Sequence, residues 1–136
     1  MDAFDTDVLI YATSRDHPFR TSILNTVHAT AAMAGGIGGL GSIMLIPELL
    51  NKPLRRQAND DVVAIRRLLE RLELIGVTED IAADAAVLAG RYHLRTVDAV
   101  HLATASSLGA DRFITNNRKD FGKHIAEVAV TYPEEL

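Results

Sequence analysis

The chain has 136 residues, a formal net charge of −4 and no cysteine. That length suits one domain over residues 1–136, large enough to bury a core without disulfides or a structural metal. The missing cysteine excludes a disulfide framework, a thiolate zinc site and a cysteine nucleophile, and the mild acidity argues against a histone-like, charge-driven nucleic-acid binder. No apolar stretch approaches the ~18 residues of a membrane span. No basic segment leads into an apolar run at the start, so we expect no signal peptide, no membrane association and a cytoplasmic location.

In chain order, residues 2–5 read as a short strand running into Asp5-Thr6-Asp7, followed by the apolar run Val8 to Ala12. After a turn at Asp16-His17-Pro18, Ile23, Val27 and Ala31 recur at helical spacing, which predicts an amphipathic helix over 18–33. A glycine-rich break over 35–41 is expected to be a flexible connection and a mobile lip. The apolar run 42–46 suits a buried parallel strand, and Pro47 fits a first helical turn. Residues 59–72 are helical by period, with Val63, Leu68 and Leu72 facing inward. A short strand is expected over 74–77 and an alanine-rich helix over 79–93. Thr96 is expected to cap a helix over 97–108 that stops at Gly109. A strand over 112–115, a helical turn near Phe121 and a last strand over 128–131 complete the chain. Strands alternating with helices imply an α/β sandwich with a largely parallel sheet.

Such sheets bind ligands at the carboxyl ends of their strands. Asp5 and Glu48 follow expected strands, Asp98 lies in a first helical turn, and Asn116 and Asn117 follow the strand ending at Thr115. Carboxylates gathered at one sheet edge repel one another and shift their pKa values upward. A hard divalent cation relieves that repulsion, and Mg²⁺ in particular takes oxygen ligands from one or two carboxylates plus a phosphate. Ions held this way serve phosphodiester cleavage.

Four segments carry a resemblance to a known family. Phe4-Asp5-Thr6-Asp7-Val8-Leu9-Ile10-Tyr11-Ala12 resembles the opening motif of the PIN-domain nucleases. Ile46-Pro47-Glu48-Leu49-Leu50 resembles their second motif. Thr96-Val97-Asp98-Ala99-Val100-His101-Leu102-Ala103-Thr104-Ala105 is similar to the third and is the most distinctive. Gly109 to Asn117 with Asp120-Phe121 resembles the fourth. Order, spacing and length are similar to those of VapC-like toxins over essentially the whole chain. The resemblance implies a three-layer α/β/α sandwich with a mostly parallel central sheet. It also implies a Mg²⁺- or Mn²⁺-dependent endoribonuclease, leaving a 5′-phosphate and a 3′-hydroxyl, that is neutralised by a cognate antitoxin and forms a homodimer. The implied metal ligands are Asp5, Glu48 and Asp98. Asn117 joins them in the catalytic set, and Thr6, Asp7, Thr115, Asn116 and Asp120 support it. This chain departs from the family pattern in carrying Asp7 where Asn is usual and Asn117 where many relatives have Asp.

Other readings are weaker. Gly36-x-Gly38-x-x-Gly41 matches a dinucleotide-binding glycine pattern, but it follows a helix and opens a strand, the reverse of the required context. Asp5-x-Asp7 lacks the late acidic pair of an aspartate-based phosphatase. His101, three residues after Asp98, is expected to bond a neighbouring side chain rather than the substrate. His17, His28, His93 and His124 show no metal-ligand spacing. Arg91 and Arg95 are either solvated or RNA-facing. The functional rival from another class is a catalytically weak or inactive PIN-fold module that binds RNA or a partner.

Overall fold

A computed structural model describes residues 1–136. Five short strands form one sheet, β1 (Ala3–Phe4), β2 (Leu40–Ser42), β3 (Glu73–Ile75), β4 (Arg112–Ile114) and β5 (Ala129–Thr131), in the spatial order β3-β2-β1-β4-β5. Every neighbouring pair is parallel. Six helices connect and cover them: α1 (Thr6–Thr13), α2 (Arg20–Met33), α3 (Leu45–Arg55), α4 (Asn59–Leu69), α5 (Glu79–Tyr92) and α6 (Thr96–Ser107). A 3-10 turn over Pro133–Glu135 ends the chain.

The three layers follow from alternation along the central strands. Ala3 pairs with Phe113 and Phe4 with Ile114. Successive side chains on a strand point to opposite faces. Ala3 and Phe113 therefore pack into one apolar cluster with Leu88, Leu102 and Phe121. Phe4 and Ile114 pack into a second with Leu9, Ile23, Leu45 and Leu68. The first cluster lies under α5 and α6 and the second under α1 to α4. Leu9, Ile23, Leu45 and Ile114 are fully buried, each contributing about 1.5–3 kcal/mol relative to exposure.

Several sequence expectations shift. The strand expected over 42–46 is β2 at Leu40–Ser42, and Ile43 and Ile46 are partly exposed. The Ser42 hydroxyl accepts a hydrogen bond from the Met44 amide at 3.1 Å, which turns the chain out of the sheet so that the apolar run enters α3. Pro47 sits in the first turn of α3, where its missing N–H costs nothing. In α4 the inward positions are Ile65, Leu68 and Leu69, continued by Leu72, whereas Val63 faces solvent. Thr96 is the first residue of α6 rather than its cap; Arg95 occupies the cap position and offers no side-chain acceptor. Phe121 lies in a non-helical turn, fixed by its burial against Phe113 at 5.0 Å between ring centroids.

The glycine segment is packed rather than loose. A Cβ on Gly38 would stand 2.4 Å from Val27 Cγ1, and one on Gly39 would stand 2.4 Å from the Phe4 ring. Gly39 has φ of +154°. Gly38 and Gly39 are thus required where the chain passes between α2 and β1, and they form no lip over a groove.

Candidate active site

Asp5 ends β1 and caps α1. Its extended backbone leaves the helix start open, and its Oδ1 accepts from the Thr6 amide at 2.8 Å. Its Oδ2 accepts from the Thr115 hydroxyl at 2.7 Å, a residue just beyond β4. Both contacts lie at the carboxyl ends of adjacent central strands, where an α/β sheet forms its ligand crevice. Asp5 is buried, and burial pushes its carboxyl pKa up despite the nearby His101 and the two hydrogen bonds; Glu48 adds to the rise.

Asp7 lies in the first turn of α1. Its two oxygens accept from the Val8 amide at 2.7 Å and the Asn116 amide at 3.0 Å. Burial, reinforced by the charges of Asp5 and Asp98, raises it to about 7 against those hydrogen bonds. Asn116 also donates to the Tyr11 hydroxyl at 3.2 Å. Tyr11 escaped the sequence reading; its place four residues after Asp7 on α1, hence on the same face, was the available signal.

Asp98 occupies the first turn of α6 and is half-buried. Burial raises its pKa, and Asp5, Asp120 and Glu48 add to the rise while His101 opposes it. Asn117 donates from its side-chain amide to Asp120 at 2.9 Å, and its backbone amide donates to the Thr115 hydroxyl at 3.1 Å. Asn117 thereby ties Asp120 and Thr115 to the same edge.

Glu48 stands in the first turn of α3. Its Oε1 accepts from the Thr6 hydroxyl at 2.7 Å and pairs with His101 Nε2, whose side chain is buried. Partial burial would raise Glu48, but the hydrogen bonds from His101 and Thr6 together with the His101 charge outweigh it and hold the carboxyl below its usual range. His101 Nε2 also lies 3.3 Å from the Thr6 hydroxyl, and Nδ1 has no partner. His101 therefore bonds neighbouring side chains, as its position suggested.

The structure thus gathers Asp5, Thr6, Asp7, Glu48, Asp98, Thr115, Asn116, Asn117 and Asp120 at one end of the sheet. Asp5 is close enough to raise Asp7 and Asp98, and Glu48 to raise Asp5 and Asp98. As they stand, no three of the acidic or imidazole groups surround a common point at metal-binding range; Glu48 is turned to His101 and Thr6. The donor set itself, carboxylate oxygens of which those of Asp5, Asp7 and Asp98 have upward-shifted pKa values, has the chemistry of a hard divalent cation site. Arg91 is paired with Glu127 instead of facing this edge. Within the dinucleotide glycine pattern, Gly38 is packed against Val27 and Gly41 against Leu45.

No helix is long and apolar enough to cross a membrane. Comparison with curated proteins gives no match. Among solved structures, the chain is similar to a toxin-antitoxin complex from Klebsiella pneumoniae, at 23% identity over 98% of both chains with a TM-score of 0.64. It is also similar to VapBC2 from Rickettsia felis bound to a promoter DNA fragment, at 19% identity over 96% of this chain and 97% of that one, TM-score 0.76. DNA-bound VapBC from Salmonella typhimurium matches at 15% identity over 97% of each chain, TM-score 0.77. At these identities the likeness establishes a shared fold. The family model described as PIN domain matches residues 3–127, and with nearly the whole sequence inside that match, the chain belongs to the PIN domain family.

Proposed function

We propose that this protein is a VapC-like toxin, a divalent-metal-dependent endoribonuclease that hydrolyses RNA phosphodiester bonds. The observation that carries this reading is the acidic edge itself: Asp5, Glu48 and Asp98 from three separate helix starts, beside Asn117, in a PIN domain chain. Asp5, Asp98 and Glu48 would hold Mg²⁺ or Mn²⁺, which when bound supplies Lewis acidity for phosphodiester hydrolysis. Thr115 and the Thr6 amide fix the Asp5 carboxylate by hydrogen bonds. Thr6 and His101 fix Glu48. Asn117 holds Asp120 at the rim. The Asp5 and Glu48 carboxylates are thereby oriented before substrate arrives, which lowers the reorganisation needed in the reaction.

A cognate antitoxin and a homodimeric, cytoplasmic protein complete the proposal. The likeness to chains from toxin–antitoxin complexes supports the antitoxin. The rival reading, a PIN-fold module with weak or no catalysis, is favoured by one feature: Glu48 is engaged by His101 and no three ligands converge.

The deciding experiment is RNA cleavage by the purified protein with Mg²⁺ or Mn²⁺, beside a chelator control and Asp98→Asn. Cutting that requires both the metal and Asp98 supports the nuclease. Metal binding without cutting, on structured and single-stranded RNAs alike, selects the binding module.

A further inference from the structure

Resting on the nuclease reading, we propose that the cleft between α1, α3 and α4 binds the sugar–phosphate backbone of single-stranded RNA and leads it to the acidic edge. The cleft has a volume of about 710 Å³, within the range of ligand-binding pockets, roughly 300–1,000 Å³. Glu48 is part of its wall, so it opens onto the proposed centre. Lys52 and Arg56 also line it. They follow Glu48 by one and two helical turns, so the three share a face of α3. The helical rise spaces them about 6 Å apart along the axis. Arg15, from the segment joining α1 to α2, and Arg20, the first residue of α2, add two more cations to the wall.

None of these four cations takes part in any of the protein's ion pairs, which join Asp111, Glu127, Glu48, Asp2, Glu134 and Glu135 to other partners. Asp60 and Asp61 line the cleft too, yet neither reaches ion-pair distance of a cation. Ile10, Leu49 and Ile65 supply an apolar part of the lining. A row of unpaired cations running from a catalytic carboxylate suits a polymer with one negative charge per repeat, and guanidinium groups match phosphate geometry.

The test measures binding of a fluorescent single-stranded RNA in EDTA, which prevents metal-dependent cutting, over a series of salt concentrations. The variants are Lys52→Gln with Arg56→Gln, the conservative Lys52→Arg, and Arg67→Gln on the outer face of α4 as a control. Thermal melting checks that each is folded. Removing two phosphate contacts should flatten the dependence of log K on log salt by about 1.4, at about 0.7 per contact on a single strand. In metal-supported cleavage the double variant should raise KM about tenfold with kcat within about twofold, since backbone contacts position the strand. Lys52→Arg and Arg67→Gln should resemble the parent. Unchanged affinity, salt slope and KM in the double variant overturn the cleft. So does unchanged RNA binding with lost binding of an Asp/Glu-rich synthetic peptide, which would make the cleft a peptide site. Asp98-dependent cutting that ignores the double variant removes the cleft alone, whereas absence of both RNA binding and cutting in the parent removes the nuclease reading with it.

Discussion

Glu48 on α3 is paired with the buried imidazole of His101 on α6, 53 positions away in sequence. The pairing joins the two helices that carry Glu48 and Asp98, and Thr6 of α1 closes the triangle by donating to the same carboxylate oxygen. One buried side chain thus holds three elements of the acidic edge in register. Replacing it leaves a cavity and releases Glu48. His101→Ala is expected to lower stability by about 1–3 kcal/mol, the usual cost of breaking a buried hydrogen-bond partnership. His101→Gln, which keeps a donor, should recover part of that loss. Urea unfolding of the three proteins checks both, and equal midpoints would show that the pairing contributes nothing.

Asp7 gives the metal-free protein a defined pH dependence. Its folded pKa, about 7, lies above the 3.8 of an ordinary aspartate. The folded state therefore binds this proton more tightly than the unfolded chain. The stability it contributes is fully present below about pH 4 and is lost as pH rises through about 7. Asp5 and Asp98, also raised, act in the same direction. Glu48, lowered, acts in the opposite one, contributing stability that is lost as pH falls. Asp7→Asn should flatten the decline in denaturant midpoint between about pH 4 and 7 and stabilise the metal-free protein at the upper end. A parent protein whose midpoint rises over that window would contradict the assignment.

Divalent cation should offset the same repulsion. Mg²⁺ or Mn²⁺ at about 100 times its dissociation constant should stabilise the fold by about 2.7 kcal/mol, and a chelator should reverse the gain. In Asp98→Asn the metal-free melting temperature should equal or exceed the parent's, because a carboxyl raised by burial and by its acidic neighbours has been neutralised. The cation-induced gain should be largely lost. RNA cleavage should fall more than about 100-fold, since even outer partners of a metal site cost about 10–100-fold. Calorimetric titration and melting read the metal effect independently of cleavage. An undiminished cation response in Asp98→Asn would remove Asp98 from the ligand set.

Gly38 tests the packing between α2 and β1. A methyl group there meets Val27 Cγ1 at 2.4 Å and the Val27 carbonyl oxygen at 2.7 Å. The carbonyl belongs to α2 and yields poorly. Gly38→Ala is expected to cost about 1–3 kcal/mol, the range for overpacking. Gly76→Ala, where a Cβ meets nothing within 4 Å, is the matched control. Equal stability of the two variants would restore the flexible connection inferred from glycine content.

The sequence by itself determined the parts of this protein that depend on near neighbours. Period and punctuation located α2, α5 and α6 within a few residues, and short apolar runs located β1, β3, β4 and β5. The acids stood out because each sits at a local junction: Asp5 and Glu48 after expected strands, Asp98 in a first helical turn. Local pattern misplaced what distant packing decides. The apolar run 42–46 reads as strand, but the turn at Ser42 and the burial of Leu45 between sheet and helices place its last two residues at the start of α3. Val63 is apolar and in phase, yet Ile65 takes the inward position. Gly38 and Gly39 read as freedom, whereas Val27 and Phe4 make them a close approach. Only the tertiary structure brings Thr115 to Asp5 across 110 positions and His101 to Glu48 across 53. Those pairings follow from strand order and helix packing, whose free energy comes from burying surfaces far apart in the chain, and no local spacing encodes them.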